Sequence, residues 1–153
     1  MKCVLKNKKI TNNYVENLLK ERGIIKTEDE YKHFLSPNSS DLIEPEKLDN
    51  MAEGFNLLMK HIKEGNRILI VVDPDVDGFT SASLMWLYLK ENFSDYNFTL
   101  EVKLPEGKEH GFRTIVNDFV NDDLCDLILM PDAGSNDFKE HKTLKDLGYD
   151  ILI

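Results

Sequence analysis

Residues 67–89 read RILIVVDPDVDGFTSASLMWLYL. Asp73, Asp75 and Asp77 stand at alternate positions after an apolar run, followed by Gly78 and a second apolar run. Like charges crowded at the end of a buried strand repel one another and lose hydration, which disfavours folding unless a cation sits among them. Carboxylates on a turn are hard oxygen ligands, the kind that Mg²⁺ and Mn²⁺ take. Gly78 lets the turn tighten, Thr80, Ser81 and Ser83 open the helix that follows, and the amides at that helix start suit a phosphate. One aspartate here would read as a helix cap; three in alternation argue for a metal.

A second acidic turn lies in MPDAGSND, where Asp132 ends a strand and Ala133, Gly134 and Ser135 make a small-residue turn. Alone it says little. Two acidic turns at one sheet edge, however, are able to share a pair of metals that activate water and stabilise both oxygens of a displacement at phosphorus. Two other patterns compete for the first turn. An EF-hand loop also begins D-x-D-x-D-G but needs a bidentate Glu at its twelfth position, which here is Leu84, and a strand precedes the loop where a helix should. The haloacid-dehalogenase pattern D-x-D-x-Thr/Val puts Asp77 or Phe79 in its last position and stands as an alternative phosphatase reading.

The elements that must position these acids follow from periodicity. NNYVENLLKERG and TEDEYKHFL read as helices, the second with Thr27 and Glu30 at capping-box spacing. From about residue 46 to 64, Leu48, Met51, Ala52, Phe55, Leu58, Met59 and Ile62 recur at helical spacing, with Gly65 as the stop. RILIVV reads as a buried strand, followed by a helix through Trp86, with Leu84, Trp86 and Leu87 on its core face. The strand FTLEVKL, the helix GFRTIVNDFV, the strand DLILM, the helix DFKEHKTLKDLG and the strand DILI complete the chain. Strands alternating with helices predict an α/β fold, a parallel sheet with flanking helices, preceded by a short helical segment. The division expected is 1–45 for that segment and 46–153 for the α/β domain. In such sheets ligands bind beyond the carboxyl ends of the strands, where both acidic turns fall. The last strand finishes on Ile153, so the site reads as cut short at its own edge.

The remaining polar candidates are weaker. His110 lies in a loop after the second strand, on the same edge as the acids, where it would contact a substrate phosphate or lie near the metals; Lys108 and Arg113 close by, and Ser81, are further candidates for that phosphate. His33, His61 and His141 sit on charged helices and read as surface residues. Cys3 and Cys125 have no zinc or disulfide spacing.

Bulk composition narrows the class. The chain has 153 residues, 41% hydrophobic and 31% charged, which suits one well-buried domain. A net charge of −9 argues against a broad basic surface for nucleic acid, although Lys2, Lys6, Lys8 and Lys9 make the N-terminus basic. No apolar run approaches the roughly 20 residues that span a bilayer, and no signal-peptide core is present, so a cytoplasmic location without membrane contact is expected.

DPDVDGFTS resembles the first motif of the DHH phosphoesterases, in particular the RecJ-like single-strand exonuclease branch, whose usual form is D-Y-D-A/V-D-G-x-T-S. The likeness extends upstream through FLSPNSSDLIEPEKLDNMAEGFNLLMKHIKEGNRILIV. Downstream, MPDAGSND is similar to the second motif, Asp-x-Gly-Ser, and LGYDILI to the segment before the Asp-His-His motif. The resemblance covers about 35 to 153, with Pro74 in place of the usual Tyr and Ala133 in place of a common Cys. The Asp-His-His segment, the fourth acidic motif and the substrate domain are not in the chain.

What the resemblance implies is a two-Mn²⁺ (or Mg²⁺) phosphodiesterase that trims single-stranded nucleic acid or oligonucleotides from the 5′ end. Asp75 and Asp77 would be ligands, Asp73 a ligand or a support behind them, and Asp132 the bridging carboxylate. This chain would supply part of that set and show little or no activity alone. The competing class is a non-catalytic homologue that binds nucleic acid or a protein partner; metal-dependent turnover separates the two.

Overall fold

The computed structural model describes residues 13–104, 106–113, 115–121 and 125–153; Lys2, Cys3, Lys6, Lys8 and Lys9 lie outside them. The chain divides into two compact units, one reaching to Lys47 and one spanning Leu48–Ile153.

The first unit holds α1 (Tyr14–Glu21), α2 (Glu28–Leu35) and 3₁₀ turns at Ser39–Asp41 and Pro45–Lys47. The capping box forms as its spacing predicts. Glu30 N–H donates to Thr27 Oγ1 at 3.1 Å, and Thr27 N–H donates to Glu30 Oε2 at 3.2 Å.

The second unit runs α3 (Met51–Glu64), β1 (Arg67–Val71), α4 (Val76–Asn92), β2 (Thr99–Lys103), α5 (Val116–Asn121), β3 (Leu127–Leu129), α6 (Phe138–Asp146) and β4 (Asp150–Leu152). All pairings are parallel, in the order β2-β1-β3-β4, with Arg67 opposite Thr99, Ile68 opposite Leu127 and Leu127 opposite Asp150. Alternate strand residues feed two cores. Ile68, Ile70, Val72, Leu127 and Leu129 pack with Ile62 of α3 and with Ala82 and Leu89 of α4. Leu69, Val71, Ile128 and Met130 pack on the opposite face with Phe119 of α5 and Leu144 of α6. Burial on both faces is why β1 and β3 are continuous apolar runs rather than alternating ones. The chain leaves β1 through α4 toward β2, and leaves β3 through α6 toward β4. The connections therefore diverge between β1 and β3, and the loops after those two strands frame a crevice of the kind that holds ligands in open parallel sheets.

Several expectations are corrected. α3 starts at Met51, not near residue 46, because Asn50 has a left-handed φ of 61° that a continuing helix excludes. Leu48, Met51, Ala52 and Phe55 are exposed, Leu58 and Met59 are half-buried, and burial is complete only at Ile62. On α4, Leu84 and Leu87 are exposed rather than in the core, and only Trp86 is half-buried. α4 is apolar on most sides, so spacing does not reveal which stripe packs; Gly78, Ala82 and Leu89 do. α5 begins at Val116, after a turn in which the Ile115 N–H bonds to the Phe112 carbonyl at 3.2 Å. His61 is buried: its Nε2 lies 2.9 Å from Asp150 Oδ2, and Asn66 donates to its Nδ1 at 3.1 Å. These bonds fix the Nε2–H tautomer and tie α3 to the start of β4. His141 is half-buried, with its ring 5.1 Å from that of Phe112. Among the described residues no helix is long and apolar enough to cross a membrane.

Candidate functional site

Past Val71, the Val72 N–H still bonds to the Lys103 carbonyl at 3.0 Å, and the chain then turns. Asp75 N–H donates to the Asp73 carbonyl at 2.9 Å, closing a three-residue turn. Asp75 is the N-cap of α4, and Gly78 N–H donates to its Oδ1 at 2.9 Å. α4 therefore opens at Val76, not at Thr80, and a carboxylate already occupies the amide end where the sequence suggested a phosphate. The hydroxyls of Thr80, Ser81 and Ser83 donate to carbonyls of their own helix, Ser81 to Gly78 at 3.1 Å. Gly78 is needed for a steric reason: a Cβ there would lie 2.6 Å from Asp73 Cβ and collide with the Asp73 backbone as well. Only glycine lets the helix start this close to the strand end.

Asp73 is buried, and the loop between β2 and α5 satisfies both of its oxygens. Gly111 N–H donates to Oδ1 at 3.0 Å, and His110 Nδ1 lies 2.5 Å from Oδ2. The imidazole of His110 is raised above its ordinary range by that hydrogen bond first and then by the charge of Asp73, with Asp75 and Asp132 adding to it. Asp132, in the turn after β3, is also raised, by lost hydration first and then by the negative charges of Asp75, Asp77 and Asp73. The two acidic turns thus share one electrostatic field across the crevice.

Ligand atoms of Asp73, Asp75 and His110 all lie within 4.8 Å of one another, the one such group of three among the described residues. Two carboxylates and an imidazole are a donor set that fits a divalent cation. Asp77 and Asp132 are outside this group and are exposed. Lys108 is exposed on the same loop as His110, and Arg113 Nε is 3.9 Å from Asp137 Oδ1. Asp137 is a residue that spacing did not single out. Its Oδ2 accepts the Phe112 N–H at 2.8 Å, across 25 positions of sequence. The one available signal was its place at the head of a predicted helix.

A doubly wound parallel sheet with an acidic, imidazole-bearing group at its switch point defines an α/β domain built around a ligand site. Residues 67–153 match the DHH family, N-terminal domain, and the chain belongs to that family. It is 36% identical over 136 residues to the putative SPbeta prophage-derived single-strand DNA-specific exonuclease YorK of Bacillus subtilis strain 168, covering 89% of this chain and 22% of that protein. It is 30% identical over 142 residues to the single-stranded-DNA-specific exonuclease RecJ of the same strain, covering 91% of this chain and 17% of RecJ. The chain thus spans about a fifth of the length of these relatives. No solved structure matches it.

Proposed function

We propose that the chain carries part of the catalytic centre of a metal-dependent phosphodiesterase that trims single-stranded nucleic acid from the 5′ end. The observation that carries this reading is the Asp73–Asp75–His110 group, with its ligand atoms within 4.8 Å of one another at the crevice edge. The likeness to YorK and RecJ, named as single-strand DNA-specific exonucleases, supports the substrate class. Asp73, Asp75 and His110 would hold one cation, and Asp77 and Asp132 would extend the acidic set toward a second. The imidazole favours Mn²⁺ over Mg²⁺, which prefers oxygen throughout. When bound, the cation supplies Lewis acidity toward a phosphodiester oxygen and makes a nearby water more acidic.

The chain's own residues do the positioning. Gly111 N–H fixes one oxygen of Asp73, and the Gly78 amide fixes one oxygen of Asp75. Lys108 and Arg113 are the contacts for a substrate phosphate on an otherwise acidic chain, since the Ser81 hydroxyl already donates to the Gly78 carbonyl. A cytoplasmic location goes with this reading.

The test is calorimetric titration of the chain with Mn²⁺, paired with thermal melting. Mn²⁺ is expected to raise the melting temperature, as any ligand bound only by the folded state does. Asp75→Asn is expected to abolish that rise. Asp132→Asn, outside the group, is expected to leave most of it, while the metal-free Asp132→Asn protein melts no lower than the parent because like-charge repulsion is relieved. One three-donor group holds one ion, and a misplacement of about 1 Å costs on the order of 10²-fold in rate. Turnover of a 5′-labelled single-stranded oligonucleotide by this chain alone is therefore expected to be slow or undetectable. Absence of any Mn²⁺ response in the unmodified chain would overturn the reading.

A further inference from the structure

We propose that Asp137 is a positioning residue that holds the His110–Gly111–Phe112 segment so that His110 faces Asp73. Its consequence for Mn²⁺ rests on the metal reading above; the positioning rests on geometry alone. An aspartate at a helix N-cap ordinarily bonds the first amides of its own helix. Asp137 is the N-cap of α6 yet makes no side-chain bond to that helix. Its carboxylate, 12% exposed, turns instead to the loop between β2 and α5. Oδ2 accepts the Phe112 N–H at 2.8 Å, and Oδ1 faces Arg113 Nε at 3.9 Å.

The loop is shaped to receive it. Gly111 has φ +77°, and a Cβ at that position would collide with the Asp137 carboxylate. Phe112 is fully buried, its ring against Gly134 and edge-on to His141. Two successive amides thus donate to carboxylates from different turns, Gly111 to Asp73 after β1 and Phe112 to Asp137 after β3. His110 immediately precedes this pair, so fixing the two peptide planes fixes the imidazole against Asp73. Withdrawing Asp137 would leave a buried amide without its partner, a penalty the loop escapes only by moving away from the crevice.

Asp137→Ser separates positioning from capping. Serine is as good an N-cap for α6, but its side chain is too short to reach the loop. Asp137→Asn keeps an acceptor for the Phe112 amide. In the metal-free protein, amide hydrogen exchange at Gly111 is expected to quicken about tenfold or more in Asp137→Ser. In Asp137→Asn it should stay within about threefold of the parent. The His110 ring resonances should move toward those of a solvated histidine in the serine variant only, and its Mn²⁺ affinity should fall roughly 10- to 100-fold. Unchanged Gly111 exchange and an unmoved His110 signal in Asp137→Ser would overturn the proposal. Exchange that quickens equally through α6 and the sheet in both variants would also overturn it, by marking a structural role alone. If the unmodified chain binds no Mn²⁺, the metal reading fails, and the exchange and ring signals decide the role of Asp137 by themselves.

Discussion

Aspartates serve different ends in this chain, and their partners tell them apart. Asp126 Oδ2 accepts the Arg67 N–H at 2.7 Å and lies 3.4 Å from Arg67 Nε, and its carboxyl is held below the ordinary range by that backbone bond first. A carboxyl whose folded-state value is lowered stabilises the fold above its unfolded value and loses that contribution as pH falls through the lowered one. Asp126→Asn, at a side chain open enough for solvent to screen it, should therefore cost no more than about 1 kcal/mol near neutrality. The gap to the parent should close in acid, starting near the ordinary value of 3.8; urea denaturation at a series of pH values measures it. Asp73 is the opposite case, a buried carboxylate whose second oxygen depends on one imidazole. His110→Ala strips that partner and is expected to destabilise the metal-free fold, read as a lower denaturation midpoint. Neither pairing is visible in sequence spacing, since His110 reaches Asp73 across 37 positions and Arg67 reaches Asp126 across 59. What was legible was residue type: acids at the strand end, and a histidine on a loop of the same edge.

At the scale of elements, the order of strands and helices and the parallel sheet could be read from periodicity, because β3, and β1 after Arg67, need an apolar side chain at every position. Their ends drifted by a few residues where a single backbone angle or capping bond decides, as at Asn50 for α3 and Asp75 for α4. The buried stripe of α4 was hidden because Leu84 and Leu87 are as apolar as Leu89, yet only Leu89 meets β1 and β3. Two substitutions test the packing. Ile70→Ala, at a side chain fully enclosed between the sheet and α4, is expected to cost about 2–5 kcal/mol. Gly78→Ala adds a single methyl against the Asp73 backbone, which cannot yield as a side-chain tip would. A loss of about 1–3 kcal/mol is expected, together with a weaker Mn²⁺ response because α4 must back away from the strand end. Equal stability of Gly78→Ala and the parent would show that the close approach is dispensable.

For the whole molecule, the net charge of −9 sets the terms on which a polyanion is met. The acids at the crevice repel phosphate unless a cation offsets them, so a single-stranded oligonucleotide should bind detectably only with Mn²⁺ present. If Lys108 and Arg113 are the two phosphate contacts, log affinity should fall with log salt with a slope of about −1.4, from about −0.7 per contact on a single strand. Alanine at both positions should flatten the slope toward zero, and fluorescence anisotropy across a salt series reads it. A slope several times steeper would mean that the nucleic acid lies on some other, more basic surface.

The pairing of β1 with both β2 and β3 also fixes when, in time, the crevice comes into being. β1 meets β2 about 30 positions along the chain and β3 about 60. Neither contact is local, and long loops must close before either can help. The turn carrying Asp73 and Asp75 can be made early, but His110 comes beside it only once β2 has paired with β1 and its loop has closed on Asp73. Mn²⁺ should accordingly leave the refolding limb of a denaturant chevron where it is and slow only the unfolding limb, so that the ion acts as a lock on the finished sheet and not as a seed for it.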